Sequence, residues 1–303
     1  MGRFYTLDAL RGFAALIVVI YHIDKALIPQ GYLAVDLFFM LSGFVVSHAY
    51  GDKFGIFELT RARLIRLYPL FFAGMVVGLV IRGGHLHTLF FIPESGRILY
   101  PANTALWSVL YELIASVAFA FFVRYGWVAW APLWLASTIY FAIWIFGFGQ
   151  TASVGFGGDG LAIGLMRLTF SFTTGIGLYW IFQRLNRRAI HPIGWLVGAS
   201  PFAMVYLPDL IALMIGFPIL VLLGAVVQVR STVVATELGR ISYPLYAIHL
   251  PVVVAFGWLS LPFVIVGARL LDRYYDVPVR RWLARKTGRL KGSPNNMSSS
   301  SAL

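Results

Sequence analysis

The chain has 303 residues, 59% of them hydrophobic and only 12% charged, with a mean hydropathy of +0.80. A soluble domain of this size needs no such apolar excess, and repeated apolar runs near 20 residues indicate a polytopic helical membrane protein. Cysteine is absent, which excludes disulfides, a thiol nucleophile and thiolate metal sites; the net charge of +12 is explained by basic cytoplasmic loops rather than by nucleic acid, and no nucleic-acid partner is expected.

Ten spans are predicted, over 6–28, 31–51, 67–83, 103–123, 127–148, 160–183, 190–207, 209–229, 239–258 and 261–280. The fold class is therefore all-α: a polytopic membrane helix bundle of about ten transmembrane helices, with one transmembrane domain over 1–290 and a disordered serine-rich tail over 291–303. The first run lacks a strongly basic leader and a small-x-small cleavage site, so it reads as a retained span. With the N-terminus inside, seventeen Lys and Arg residues fall in inside loops and three (Lys25, Arg82 and Arg97) outside. That asymmetry places both termini in the cytoplasm.

The first span carries Arg11 and His22. Eleven steps of about 100° close three turns to within roughly 20°, so both side chains share one helix face, about 16 Å apart along the axis. Ionisable residues in a bilayer segment are costly and point to function. A tight turn at Pro29-Gln30 makes the first two spans antiparallel. His22 is then level with Asp36–Phe38, and Arg11 with Ser47–Ala49. Asp36 is placed either to orient His22 by a hydrogen bond or to cap the second helix.

The inside loop before the third span holds Arg61, Arg63 and Arg66. Arg63 and Arg66 share a face of a short helix and suit either phosphate groups or anionic lipid headgroups. In the fourth span Asn103–Glu112 carries a carboxylate roughly 13 Å into the membrane. Glu112 needs a partner there, with Arg11, Arg167 and His22 as candidates, or acts as an acid or base. Gly155–Gly160 lacks the Lys-Ser/Thr ending of a phosphate loop and reads as a connection. In the ninth span His249 sits near mid-membrane between Tyr243 and Tyr246. It either lines the same cavity or ties helices together.

Five of these segments, in this order, resemble the acyltransferase-3 family of integral membrane proteins. They are Leu7-Asp-Ala-Leu-Arg11…His22 with its Arg-x10-His spacing, Gly31–Phe44 around Asp36 and Ser42, Arg63-Leu-Ile-Arg66-Leu-Tyr-Pro, Trp107-Ser-Val-Leu-Tyr-Glu112, and Ser242–His249. Ala34 stands where the family usually has glycine. The resemblance implies an O-acyltransferase of the bacterial inner membrane that moves an acyl group, usually acetyl, from cytoplasmic acyl-CoA (acetyl-CoA) to a hydroxyl of an extracytoplasmic carbohydrate or glycolipid. It makes Arg11 and His22 the main functional pair.

Physical reading and resemblance combine into one expected mechanism. The phosphates of acyl-CoA rest on Arg61, Arg63 and Arg66, and the pantetheine arm passes Arg11. His22, oriented by Asp36 or Glu112, takes the acceptor proton. Ser42, Trp107, Tyr243, Tyr246 and His249 are expected to line the substrate cavity, Ser42 also being a candidate covalent nucleophile. No metal is expected. The rival readings are a proton-coupled transporter with Arg11, His22 and Glu112 as its relay, and acylation of a small secreted metabolite.

Overall fold

The computed structural model describes residues 3–50, 55–185, 189–191, 193–229 and 231–287. The tail expected over 291–303 lies outside the described residues. Helix α1 spans Tyr5–Ile23 and α2 Ala34–Ala49, the latter entered through a 3-10 turn at Gly31–Leu33. Then come α3 (Ile56–Arg82), α4 (Trp107–Phe122), α5 (Trp127–Ala142) and α6 (Leu161–Leu185). The short pieces α7 (Gly194–Ala199), α8 (Pro201–Met204) and α9 (Asp209–Ile211) lead to α10 (Phe217–Val226). The chain closes with α11 (Thr232–Phe256), α12 (Ser260–Leu271) and α13 (Val277–Lys286).

Eight helical runs among the described residues are long and apolar enough to cross a bilayer. The last of them, Thr232–Lys286, folds back at Gly257, whose φ of +53° reverses the chain so that α11 and α12 pack side by side. The seventh predicted span is not one helix: it breaks at Ser200-Pro201 into α7 and α8. A two-residue parallel pairing sets Ala189–Ile190, which precede α7, beside Val227–Gln228, which follow α10. Gln228 closes this end of the bundle. Its Oε1 accepts from Tyr5 N at the start of α1 (2.9 Å), and its Nε2 donates to Gly224 O and Ala225 O at the end of α10 (3.1 and 3.0 Å).

The largest departure from the sequence reading is α3, which begins at Ile56 rather than 67. The Arg61–Arg66 segment is therefore the first part of a 27-residue helix, about 40 Å long, not a surface loop. Pro69 sits inside that helix without ending it.

The bundle is drawn together through glycines. In α1 the positions Asp8, Gly12, Ala15, Val19 and His22 form one seam against α11. A Cβ on Gly12 would come within 2.5 Å of Leu238 Cβ, and one on Gly239 within 2.7 Å of Asp8 Cβ. Ala15 and Val19 pack with Leu245 and Val253. Helices α2 and α6 meet at Gly43 and Gly175, where a Cβ would come within 2.1 Å of Phe172 O and Met40 O respectively. Small residues permit such backbone contact between membrane helices.

Candidate active site

The α1–α11 seam carries the centre of the site. His22 is half-buried in the last turn of α1. Its Nδ1 lies 2.8 Å from Val18 O. A carbonyl only accepts, so the Nδ1 hydrogen points there and Nε2 keeps its lone pair. No described residue hydrogen-bonds Nε2, and it is not sealed inside the protein. This is the form a general base requires.

The neighbour of His22 is His249. The two rings lie 5.1 Å apart, and His249 Nε2 is 3.4 Å from His22 Nδ1. His249 is fully buried, and its own Nδ1 donates to Tyr246 O at 2.7 Å. A local feature of α11 holds this turn. Pro251 has no N–H, so Ala247 O loses its helical partner four residues on. Asn103 Nδ2 supplies the missing donor at 2.8 Å and also donates to Gly74 O of α3 at 2.9 Å.

Neither candidate carboxylate reaches His22. Asp36 is fully buried at the start of α2, and Arg167 of α6 grips it through Nε (3.0 Å to both oxygens) and Nη2 (2.5 Å). Ser171 Oγ adds a third donor at 3.0 Å. The same arginine donates to Val154 O and Tyr32 O, both at 2.9 Å. A charge-paired, hydrogen-bonded carboxylate is the form in which an acid survives at that depth. The expectation that Asp36 orients His22 is thus corrected: level in depth, it faces α6 instead.

Glu112 binds Arg63, and Ser42 Oγ donates to its Oε1 at 2.7 Å. Arg63, only 4% exposed, also donates to Ser116 Oγ (3.1 Å) and Ser42 Oγ (3.2 Å). Because α3 starts early, Arg63 points into the bundle and serves Glu112 rather than a surface phosphate cradle. Ser42 is buried with its hydroxyl committed, not poised as a nucleophile.

Arg61 and Arg66 stay at the basic end, against the last helix. Arg61 Nη1 donates to Thr287 O. Arg66 is 3.8 Å from Asp276, which also pairs with Arg280 at 2.7 Å, and it lies over the Tyr243 ring at 5.6 Å. Tyr243 itself donates to Leu67 O at 2.6 Å. Arg11 differs from all of these. It is half-buried and makes no hydrogen bond or ion pair with a described residue. The charges within its reach are Asp8, Glu112, Arg63 and Arg3, and Asp8 is already paired with Arg3 at 2.5 Å.

Two cavity candidates are structural in placement. Trp107, 6% exposed, walls Arg167 at 5.8 Å and meets Tyr111 edge-on. Tyr246 donates to Ala105 O (2.9 Å), contacts Ser108 Oγ (2.7 Å), and stands with its ring between Phe38 and His249. At the opposite end from the arginines, Asp209 at the start of α9 accepts from Tyr32 Oη (2.8 Å) and Ala152 N (2.7 Å), joining the 149–160 connection to the turn that leads into α2. In the other long connection, outside the spans, burial pushes the Tyr100 phenol up; it keeps its proton and donates it to Phe91 O at 2.9 Å.

Three contacts escaped the sequence reading: the Arg167–Asp36 clamp, the Asn103 bridge and the His22–His249 pairing. A proline four residues after Ala247 was the one visible signal, since it marks a carbonyl in need of a donor.

The acyltransferase domain of known families matches residues 4–277. The chain is 36% identical to protein 2 of the picA locus of Rhizobium radiobacter, over 39% of this chain and 81% of that protein. It is 35% identical to the O-acetyltransferase OatA of Staphylococcus aureus, over 21% of this chain and only 11% of OatA. No solved structure matches it. With nearly the whole helical bundle inside the matched span, this chain belongs to the acyltransferase-3 family of membrane acyltransferases.

Proposed function

We propose that the protein transfers an acetyl group from cytoplasmic acetyl-CoA to a hydroxyl of an extracytoplasmic carbohydrate or glycolipid, in a bacterial inner membrane. The observation that carries this reading is the open Nε2 of His22, on the same face of α1 as the guanidinium of Arg11, which has no partner among the described residues. The name of the OatA relative supports acetyl and oxygen as the group and the atom joined.

The donor enters from the basic end, its phosphates meeting Arg61, Arg66 and Arg11 through charge-assisted donors. The neutral arm covers the roughly 16 Å between Arg11 and His22, so no charged group crosses the membrane. His22 Nε2 removes the proton of the acceptor hydroxyl. The oxygen attacks the thioester carbonyl, the carbon–sulfur bond breaks, and the leaving thiolate takes the proton back from the imidazolium. Glu112 and Asp36 hold the scaffold on either side.

The test is purified protein with acetyl-CoA and a polysaccharide acceptor, following free thiol. His22→Ala is expected to lower kcat by about 10²–10⁴ with the fold intact. Full turnover by that variant overturns the base assignment. Proton-dependent solute uptake into proteoliposomes without thiol release would establish the transporter instead.

A further inference from the structure

We propose that His249 is the positioning residue of the acyl-transfer base, holding His22 in the productive tautomer and receiving its Nδ1–H as positive charge develops on the ring. This rests on the assignment of His22 as the base. The geometry is directional. His249 gives its Nδ1 hydrogen to Tyr246 O, which leaves its Nε2 as a lone pair aimed at His22 Nδ1, 3.4 Å away. His22 Nδ1–H is thereby shared between Val18 O at 2.8 Å and His249 Nε2. Both imidazoles are pinned in the same tautomer, and the base nitrogen is the one that remains open.

In soluble triads a carboxylate fills this place. Here both candidate carboxylates are taken, Asp36 by Arg167 and Glu112 by Arg63. An unpaired third carboxylate would be costly within a bilayer. A neutral imidazole offers an acceptor without adding a net charge. His249 is 0% exposed, so it acts through His22 and not on substrate. Its own position is set by the Asn103 bridge to Ala247 O, the carbonyl freed by Pro251.

The test compares His249→Ala with His249→Gln in the full-length protein, the glutamine amide oxygen standing in for the Nε2 lone pair. Kinetics are joined to ¹⁵N spectra of the histidine-labelled protein, in which the His22→Ala variant identifies the His22 signals. Expected are a fall in kcat of about tenfold for alanine, the size of one hydrogen bond, with KM for both substrates unchanged, and recovery to within about threefold by glutamine. The His22 Nδ1 signal shifts in the alanine variant and stays near its native position with glutamine. Equal kcat for wild type and alanine variant, or an equal loss in both variants accompanied by a raised KM, overturns the proposal. So does a His22 signal that ignores the alanine substitution. Turnover by His22→Ala, while the His22 signal of the wild-type background still responds to His249→Ala, would sink the base assignment alone and leave the pairing standing.

Discussion

Arg11 and Arg167 are both arginines within apolar helices, yet they do opposite work. Arg167 spends its donors on Asp36, Tyr32 O and Val154 O, whereas Arg11 holds no partner among the described residues. Arg11→Ala is accordingly expected to raise KM for acetyl-CoA. One charged hydrogen bond is worth about 1.5–3 kcal/mol, roughly a 10- to 150-fold change in KM, measured by thiol release at varied donor. Asp36→Ala is expected to act on folding instead, since removing one member of a buried pair costs about 3–5 kcal/mol. Its thermal midpoint in detergent should fall well below that of wild type, with the double variant Asp36→Asn, Arg167→Met losing less. Arg11 and His22 were legible in the sequence because the helix period acts inside one segment. The partner of Asp36 was not, because Arg167 arrives from 131 residues away and no spacing encodes a contact between α2 and α6.

At the level of elements, the apolar runs revealed nearly every helix, and their errors lie where polar residues continue a helix or a proline divides one. Glu58, Arg61 and Arg63 made the start of α3 look like loop, and Ser200-Pro201 broke a run that hydropathy reads as continuous. The close approaches were hidden for another reason: a glycine announces space only when its neighbour is known. Gly175 and Gly177 lie two residues apart in α6. A Cβ at the first would come within 2.1 Å of Met40 O, while the second meets nothing within 4 Å. Gly175→Ala is therefore expected to cost at least the 1–3 kcal/mol of an overpacked core and to lower the yield of monodisperse protein. Gly177→Ala should be neutral or gain up to about 1 kcal/mol from helix propensity. Fluorescence-detected size exclusion of the two variants after heating makes the comparison.

For the whole molecule, the distribution of lysine and arginine predicted one basic end, and the fold gathers Arg3, Arg61, Arg66, Arg280 and the end of α13 there. Because the chain has no cysteine, single substitutions report sidedness directly. Ser95→Cys, in the exposed connection before α4, is expected to react with an impermeant maleimide applied to intact spheroplasts. Lys286→Cys should react only after the membrane is opened. The reverse pattern would invert the direction of the proposed transfer. The Nδ1–H of His249 ends on a backbone carbonyl, and that has a consequence for the energetics of turnover. A carbonyl does not take up a proton, so the pair of imidazoles is a cul-de-sac and not a wire. The proton that His22 collects leaves by the nitrogen through which it came, onto the departing sulfur. On the proposed reaction each cycle thus exchanges one acyl group moving outward for one hydrogen moving inward, each covalently bound and uncharged at the point of crossing, while the charged phosphates of the donor stay at the basic end. The membrane potential finds no charge to drive, and the thioester alone supplies the free energy of transfer.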